Sequence, residues 1–380
     1  MGDLGAGPVS AQLKPGGSAM TTMITARAAL VGSRLEHLAP ACLVIEGAHI
    51  ATLGSPAEVR ARPDRHIEVP ELTLVPGFID CHVHAGFYPP GEILGGGVTT
   101  ARDLGWPPEL IFPLVESSRQ EGFEGPTLVA AGPILTAPGG YPTAAAWAPP
   151  GTARLIRGPG EAGPAVERTL AEGATIIKIA LNPSAGPSFD ESTLRALVDA
   201  AHARGARVTG HIDGVAELIN ALDAGVDELA HMLLGGAAIP DRLIARMVAA
   251  GTTVVPTLSI HRGRDRAAAV DNLRRFAAAG GSFVYGTDLG NEGPSPGIDA
   301  LEVAAMDAAG IPARRIIESA TVAAAAYLGL ATTGILEVGM DADIVGLEGD
   351  PAHDHSALTA VGAVWRRGRR VLTASERAPR

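Results

Sequence analysis

The sequence predicts an α/β protein, a (β/α)8 TIM barrel with a small β-sandwich domain formed from both termini. Two observations support this fold class. Through the middle of the chain, short apolar runs alternate with alanine-rich helical runs, and repeated β–α units build a parallel sheet. Shorter strand-like runs separated by turn residues occupy both ends. The 380 residues are enough for one large domain and one small domain.

The domain boundaries follow these changes in pattern. Residues 1–20 form a Gly- and Pro-rich segment that we expect to be a flexible leader, with Met20 as an alternative start. Segments 21–75 and 333–380 are the two parts of the predicted small β-domain, and 76–332 is the predicted barrel. That central block matches the size of a typical barrel, about 250 residues. A doubly wound open sheet is the alternative.

Eight strands are predicted in the central block. They cover residues 77–84, 97–104, 127–135, 174–181, 207–212, 228–233, 253–258 and 283–288. Helical segments lie between several of them, for example 192–204 and 241–250. In a parallel barrel the carboxyl ends of all these strands meet on one rim, where barrel enzymes build their active sites.

Charge and composition restrict the possible partners. The formal net charge is −11 and the pI is about 5.5, which argues against nucleic acid or an anionic membrane as the main partner. No run of 18 or more apolar residues predicts a membrane span. Two cysteines, Cys42 and Cys81, predict no disulfide framework and fit a reducing, cytoplasmic compartment. We therefore expect a small-molecule substrate.

A pair of histidines, His82 and His84, ends the first predicted barrel strand. Residues two apart on a strand point to the same side, so both imidazoles can face the barrel interior. Imidazole is a common metal ligand, and the pair predicts a metal site. Two histidines on a polar strand end are the structural alternative.

Four further residues with ligand-type side chains end later predicted strands: Lys178, His211, His231 and Asp288. Each has an ordinary explanation by itself. A lone histidine at a strand end is commonly a hydrogen-bonded structural residue, and an aspartate after Gly-Thr is commonly a helix cap or a turn residue. Together with the histidine pair they bring nitrogen and oxygen ligands to one rim, which predicts a metal centre.

Lys178 is the unusual member of this set. The chain has 30 lysine and arginine residues, and only Lys178 and Lys14, in the leader, are lysines. Arginine stays charged in proteins, whereas a buried lysine can lose its proton. A neutral amine reacts with carbon dioxide to give a carbamate, whose oxygens can bind metals. The alternative is a lysine kept by chance in an arginine-rich chain.

These motifs resemble the amidohydrolase superfamily, most closely its imidazolonepropionase-like and prolidase-like members that carry a lysine on the fourth strand. The resemblance covers nearly everything after residue 20. The matching segments are 76–84, 97–103, 176–179, 201–211, 224–231, 255–258, 286–288 and the closing β-segment 334–345.

The resemblance implies a role for each candidate ligand. One divalent ion, for which zinc is expected, would be bound by His82, His84 and Asp288, a second by His211 and His231, and a carbamate on Lys178 would bridge them. A hydroxide shared by the two ions would attack the substrate carbonyl, because bound zinc lowers the pKa of water to about 7. Asp288 would act as general base and then as general acid toward the leaving nitrogen. The resemblance also implies a homo-oligomer.

The expected function is hydrolysis of a C–N bond in a small amide, a cyclic amide or a dipeptide-like substrate. A second interpretation is a one-metal deaminase or a lactam hydrolase of the imidazolonepropionase type, which has no use for a carbamate on Lys178. A third is a catalytically inactive relative that serves as a binding or scaffold protein. Such a relative is expected to have lost ligands.

Two loops give candidates for substrate binding. The Pro- and Gly-rich loop 136–150 follows the third predicted strand, and Tyr141 within it is a candidate contact in a lid. An ordinary surface loop is the alternative. His261 and Arg262 follow the seventh predicted strand and can hold a substrate carboxylate. A solvated basic turn is the alternative.

Overall fold

Residues 20–377 are described by the computed structural model. The predicted leader lies outside this range except for Met20, which is exposed. The strands of the described chain are β1 (Thr21–Val31), β2 (Glu36–Leu38), β3 (Ala41–Glu46), β4 (His49–Gly54), β5 (Arg65–Pro76), β6 (Phe78–Val83), β7 (Val98–Asp103), β8 (Thr127–Ala130), β9 (Ile134–Thr136), β10 (Ala153–Leu155), β11 (Ile177–Leu181), β12 (Val208–Ile212), β13 (Glu228–Leu229), β14 (Thr253–Val254), β15 (Ser282–Phe283), β16 (Ile344–Glu348), β17 (Val361–Arg366) and β18 (Arg369–Val371).

Helices lie mainly between the central strands. The α-helices are α1 (Pro90–Gly95), α2 (Pro108–Ser118), α3 (Pro159–Ala171), α4 (Glu191–His202), α5 (Val215–Ala224), α6 (Asp241–Ala250), α7 (Gly263–Ala278), α8 (Ala300–Ala308), α9 (Ala313–Ala320), α10 (Val322–Leu328) and α11 (Ala374–Arg377). Short 3-10 helices cover Ala85–Phe87, Pro183–Ala185, Leu258–Ile260 and His355–Thr359.

Strands from both ends of the chain share one sheet, in the order β18-β17-β16-β5-β1-β3-β4, with β2 paired to β1. The centre of this sheet is β5, which runs parallel to β1 and antiparallel to β16. Residues alternate between buried and more exposed along the first half of β1, as expected for a strand with one face on a core. One face packs a cluster that includes Leu43, Leu74 and Trp365.

The central block is an α/β arrangement of parallel strands. One sheet has the order β6-β7-β8, and a second has the order β10-β9-β11-β12-β13-β14-β15. Within the second sheet, Lys178 on β11 lies opposite Thr209 on β12, and Ala180 lies opposite His211. Further backbone hydrogen bonds join β6 to the segment after β15, namely Cys81 N to Tyr285 O, Asp288 N to His82 O and His84 N to Leu289 O.

All eight central strands are shorter than the sequence predicts, and the last three are much shorter. The strands β13, β14 and β15 have two residues each, and the chain beyond them is irregular. Thr257 and Asp288 in these irregular segments have φ values of 46° and 58°, outside the range of a strand. Pro256 has no N–H to contribute to a ladder. The backbone at Thr257 and Asp288 therefore does not continue the strands that precede these residues.

The helices pack an apolar face against the strands, as α4 shows. Asp190 caps it by accepting a hydrogen bond from Thr193 N at 2.7 Å. Leu194, Leu197 and Val198 recur at helical spacing and are buried. The predicted helix 192–204 corresponds to this element, and the predicted helix 241–250 has the bounds of α6.

A buried ion pair lies among the central strands. The Arg102 side chain on β7 donates to both carboxylate oxygens of Glu228 on β13, at 2.8 and 2.9 Å, and also to the Cys81 carbonyl on β6. Side-chain exposure is 1% for Arg102 and 0% for Glu228. Three strands are thereby joined through charged groups that water does not reach.

Gly286 allows the segment after β15 to lie close to β6 and to the segment after β14. A Cβ atom at this position would lie 2.3 Å from Val255 Cγ1 and 3.0 Å from the His82 nitrogen. The first distance is shorter than real contacts of a Cβ atom and the second is at their lower limit, so a larger residue would push the strand ends apart. Separately, none of the helices within 20–377 combines the length and apolar character needed to cross a membrane.

Candidate metal centre

All six side chains that the sequence predicts as metal ligands are buried; five lie at or just after the carboxyl ends of central strands, whereas Lys178 is the second residue of β11. His82 lies on β6 and His84 directly follows it, Lys178 lies on β11, His211 lies on β12, and His231 and Asp288 follow β13 and β15. Their exposure ranges from 1% to 7%. The imidazole rings are neighbours: centroids are 5.5 Å apart for His82 and His84, 4.7 Å for His82 and His231, and 4.9 Å for His211 and His231.

His82, His84 and Asp288 bring their ligand atoms within 4.8 Å of one another. Oδ1 of Asp288 lies 3.2 Å from Nε2 of both histidines. Nδ1 of His82 donates to the Ala230 carbonyl and Nδ1 of His84 donates to the Gly105 carbonyl. Because a carbonyl can only accept, the proton of each neutral ring lies on Nδ1. Three lone-pair atoms then face each other, and a cation is needed between them, either a proton or a metal ion.

The other two histidines each have one ring nitrogen in contact with a polar side chain. Nδ1 of His231 lies 2.9 Å from the Thr257 hydroxyl, and Nε2 of His211 lies 3.0 Å from Nδ2 of Asn182, which donates to it in this orientation of the amide. Each of the four rings therefore has one nitrogen held by a protein group and one left for another partner. This is the arrangement that metal-ligating histidines adopt, because the held nitrogen fixes the orientation and tautomer of the ring.

The side-chain amide of Asn182 can form a hydrogen bond with Nε2 of His211 whether that nitrogen carries a proton or a lone pair. Its two ends are nearly indistinguishable in shape, and Ser184 on its other side can donate or accept. If the amide oxygen faces His211, Nε2 carries the proton and Nδ1 is free to bind a metal. Neither Asn182 nor Thr257 is among the site residues predicted from the sequence. The available signal was the position of each polar residue just after a buried strand.

Electrostatics favour neutral rings for three histidines. Burial lowers the pKa of His211 to about 3 and holds the pKa values of His82 and His231 well below the ordinary range. Neutral imidazole is the form that binds metals. Burial also acts to lower the pKa of His84, but the hydrogen bond and charge of Asp288 outweigh it, and the pKa of His84 is raised.

Lys178 is 1% exposed, and its Nζ has no hydrogen-bond partner within the described range. Burial lowers its pKa to about 7, so that neutral amine is present at neutral pH. The positive charge of Lys178 acts to lower the pKa of all four histidines, which reflects its place among them. A buried amine without a partner is costly.

Asp288 lies close to three of the histidines, with Oδ2 3.7 Å from Nδ1 of His231 in addition to the contacts of Oδ1. Burial acts to raise its pKa, but the neighbouring imidazoles outweigh burial and hold that pKa well below the ordinary value of 3.8. Its backbone is in the left-handed region, at φ 58°, as is that of Thr257. Non-glycine residues in this conformation are strained and concentrate at functional sites.

Two buried aspartates support the loops that carry the ligands. Asp80 accepts hydrogen bonds from His82 N and from both the backbone and the hydroxyl of Thr287. Asp103 accepts from Ala85 N and Gly105 N, and Gly105 is the residue whose carbonyl holds His84. The neighbouring Arg102 pairs with Glu228 and not with Asp103.

The three predicted substrate contacts differ in their surroundings. Tyr141 stacks on His211, with ring centroids 4.3 Å apart and planes at 22°. His261 is 4% exposed, its Nε2 has no partner among residues 20–377, and burial lowers its pKa to about 4. It offers a hydrogen bond and not a positive charge. Both terminal nitrogens of Arg262 donate to backbone carbonyls of Ser259, His261 and Glu292, so a substrate carboxylate would have to compete for them.

Comparisons with known proteins connect this site to a family. The amidohydrolase family model matches residues 91–373. An ochratoxinase of Aspergillus niger is 24% identical over 411 aligned residues, covering 88% of this chain and 83% of the relative. An imidazolonepropionase of Deinococcus deserti is 30% identical over 194 residues, 48% of this chain and 46% of the relative. An uncharacterized protein of Mycobacterium tuberculosis is 40% identical over 72 residues, which span only 18% of its own length.

Solved structures show the same fold. A Xaa-Pro dipeptidase with methionine bound in its active site superposes with a TM-score of 0.78 at 24% identity, covering 92% of this chain and 99% of that one. The A. niger ochratoxinase superposes with a TM-score of 0.75 at 23% identity, covering 93% and 96%. These neighbours are prolidase-like and ochratoxinase-like hydrolases built on TIM barrels. The chain belongs to the amidohydrolase family.

Proposed function

We propose that the protein is a binuclear amidohydrolase that uses two divalent ions, zinc in the simplest case, to hydrolyse a small amide, a cyclic amide or a dipeptide-like substrate. The observation that carries this proposal is the shared anchoring of the four histidines. Each has one ring nitrogen held by a protein group and the other left available, around an anionic Asp288.

The donor set suits two ions. His82, His84 and Asp288 would hold one, because their ligand atoms already converge. His211 and His231 would hold the other, and a carbamate on Lys178 would supply an oxygen to each. Nitrogen and carboxylate-type oxygen ligands are those that zinc prefers. Within residues 20–377 the Lys178 amine has no hydrogen-bond partner, which favours its chemical conversion. The lone pairs of His82, His84 and Asp288 face one another, which favours a bound cation.

The bound ions would supply an activated water and polarise the substrate carbonyl. The chain's own residues would handle the proton. Asp288 is anionic and buried, so one of its carboxylate oxygens can take a proton during attack and return it to the leaving nitrogen. Protonation matters because an amide nitrogen is otherwise a poor leaving group. Tyr141 and His261 are the proposed substrate contacts, His261 through a neutral hydrogen bond.

One specific comparison supports a second candidate, a one-metal lactam hydrolase or deaminase. The imidazolonepropionase relative aligns at 30% identity over about half of the chain. In that case His82, His84 and Asp288 with one further histidine would complete the site, and Lys178 would have no ligand role. An inactive scaffold protein is the third candidate. It would gain nothing from four separately anchored histidines.

Metal content tests these candidates. Protein purified without chelator is analysed for metals as the parent, as Lys178→Ala and as Thr209→Val, a control at the residue paired with Lys178 across the sheet. Two ions per chain in the parent and the control, lost in Lys178→Ala and partly restored by short-chain carboxylates, would support the binuclear site. One ion unaffected by the change would favour the one-metal candidate. No bound metal and no amide hydrolysis would favour the scaffold.

We also propose the finer architecture predicted from the sequence. The hydrogen bonds between β6 and the segment after β15 support closure of the central strands into a barrel over 76–332. The single sheet that joins strands of 21–75 and 333–380, with an apolar cluster packed on it, supports a small β-domain built from both ends of the chain, which we propose to be a β-sandwich. Both cysteines are free, which supports a reducing, cytoplasmic location. Assembly into a homo-oligomer remains a prediction.

A further inference from the structure

Four aromatic side chains gather beside the candidate metal centre: Phe87, Trp106, Tyr141 and Trp147. We call them the mouth cluster. The whole chain has only seven phenylalanines, four tyrosines and three tryptophans, so this is a concentration of a scarce residue type. Phe87 and Trp106 come from the loops after β6 and β7, and the other two come from the loop after β9. Loops from three different strands therefore contribute rings to one place.

The rings are in contact with each other and with the predicted ligands. Centroid distances are 4.9 Å between Trp147 and His84, 6.4 Å between Phe87 and His84, and 5.0 Å between Phe87 and Trp106. Trp147 lies 6.3 Å from Phe87 and 6.1 Å from Tyr141. The mouth cluster thus forms a continuous aromatic wall that begins at the ligand rings.

The loop that carries Tyr141 and Trp147 is docked over the centre. A Cβ atom on Gly186 would lie 2.2 Å from the Gly139 carbonyl, and one on Gly140 would lie 2.4 Å from the Pro187 carbonyl. Glycines on both sides thus let the loops after β9 and β11 touch. The candidate ligands beneath this loop are at most 7% exposed.

The ring faces of the mouth cluster are not used for packing against cations. Arginines lie over Tyr327, Phe283, Phe123 and Trp365, whereas among residues 20–377 none lies over a ring of the mouth cluster. Phe87 remains 39% exposed although it is a large apolar side chain. An apolar ring left in water next to a buried centre is well placed to bind an apolar group of a ligand.

We propose that the mouth cluster is the binding site for a planar apolar group, such as a phenyl ring, attached close to the scissile C–N bond. This inference rests on the proposed function, which it deepens by naming the substrate class. Trp147 and Phe87 would stack against the group in offset or edge-to-face geometry. Substrates with an aromatic ring at this place would be favoured over equivalents with a methyl group by roughly ten- to hundred-fold in kcat/KM.

The activity test compares matched amides in which a phenyl group replaces a methyl group, once on the acyl side and once on the amine side. The readout is the ratio of kcat/KM values for phenyl and methyl substrates in the parent, Trp147→Leu and Phe87→Leu. We expect a high ratio for one side in the parent and a ratio near one in both variants. Phe123→Leu, an aromatic residue under Arg366 and outside the mouth cluster, is the matched control and should keep the parental ratio. A parental ratio near one on both sides would overturn the proposal.

A binding test separates this proposal from the proposed function. Phenylacetamide and acetamide are titrated into chelator-treated protein while tryptophan fluorescence is followed. Two of the three tryptophans, Trp106 and Trp147, belong to the mouth cluster. The third, Trp365, is buried on β17, in the sheet shared by the two ends of the chain. A saturable change with phenylacetamide alone, weakened at least ten-fold by Phe87→Leu, would support the site even if no hydrolysis were found. Equal responses to both amides, or none, would show that the mouth cluster only closes the centre.

Discussion

The ion pair between Arg102 and Glu228 gives a prediction about stability whose size follows from the geometry. Arg102→Met removes one partner of a two-pronged contact at 2.8 and 2.9 Å and leaves a carboxylate with no access to water. Breaking a buried pair in this way costs about 3–5 kcal/mol. At about 2 °C per kcal/mol for a large chain, the melting temperature should fall by roughly 6–10 °C. Thermal unfolding followed by circular dichroism measures the change.

Two comparisons test the reasoning behind that number. Arg119→Met breaks a pair with Glu116 of which both members are more than half exposed, and it should change the melting temperature little. Arg102→Met combined with Glu228→Leu removes both charges, so it should recover much of the loss of the single variant. If Arg102→Met were as mild as Arg119→Met, or if the double variant lost the sum of the two single effects, the argument from unpaired charge would be refuted.

Three further predictions concern the centre and a buried acid. Asn182→Leu removes the partner of His211 and should weaken metal binding about 10–100-fold in a chelator competition, with Asn220→Leu on α5 as an unaffected control; equal affinities would contradict the anchoring role. Removing metal with a chelator should lower the melting temperature, because ions that bind only the folded chain stabilise it by mass action, and an unchanged value would speak against bound ions. Burial raises the pKa of Glu302 from 4.5 to about 8, so the stability it contributes is complete below pH 4.5 and is lost as the pH rises through about 8. Glu302→Gln should therefore lose less stability than the parent between about pH 4.5 and about pH 8 in thermal unfolding, and parallel losses would contradict this.

The family and the α/β class were predictable because they depend on regular patterns. His82 and His84 have the two-residue spacing of a strand, and both lie at its end in the structure. Lys178 was predicted as a site residue from composition, because it is the one lysine after the leader. In the structure it is buried, and its Nζ has no hydrogen-bond partner within the described range. These signals are local, so a single sequence contains them.

The supporting groups were not predictable in the same way. Thr257 and Asn182 hold ligand rings from other strands, 26 and 29 residues away in sequence, and no periodicity relates such pairs. The length of β13, β14 and β15 was overestimated, because apolar residues that continue past a strand end look like strand in a pattern of hydrophobicity. The mouth cluster depends on how three loops dock, which is a tertiary property.

The sheet shared by the two ends of the chain has a consequence for biosynthesis. Between the central strand β5 and its neighbour β16 lie more than two hundred residues, all of which must be translated before the two can pair. The α/β block is complete earlier on the ribosome and can fold first, while β1 to β5 wait with one edge open. An unpaired edge of this kind invites association with another nascent chain. Slow translation of the final strands would therefore reduce the yield of native protein more than a delay inside the α/β block.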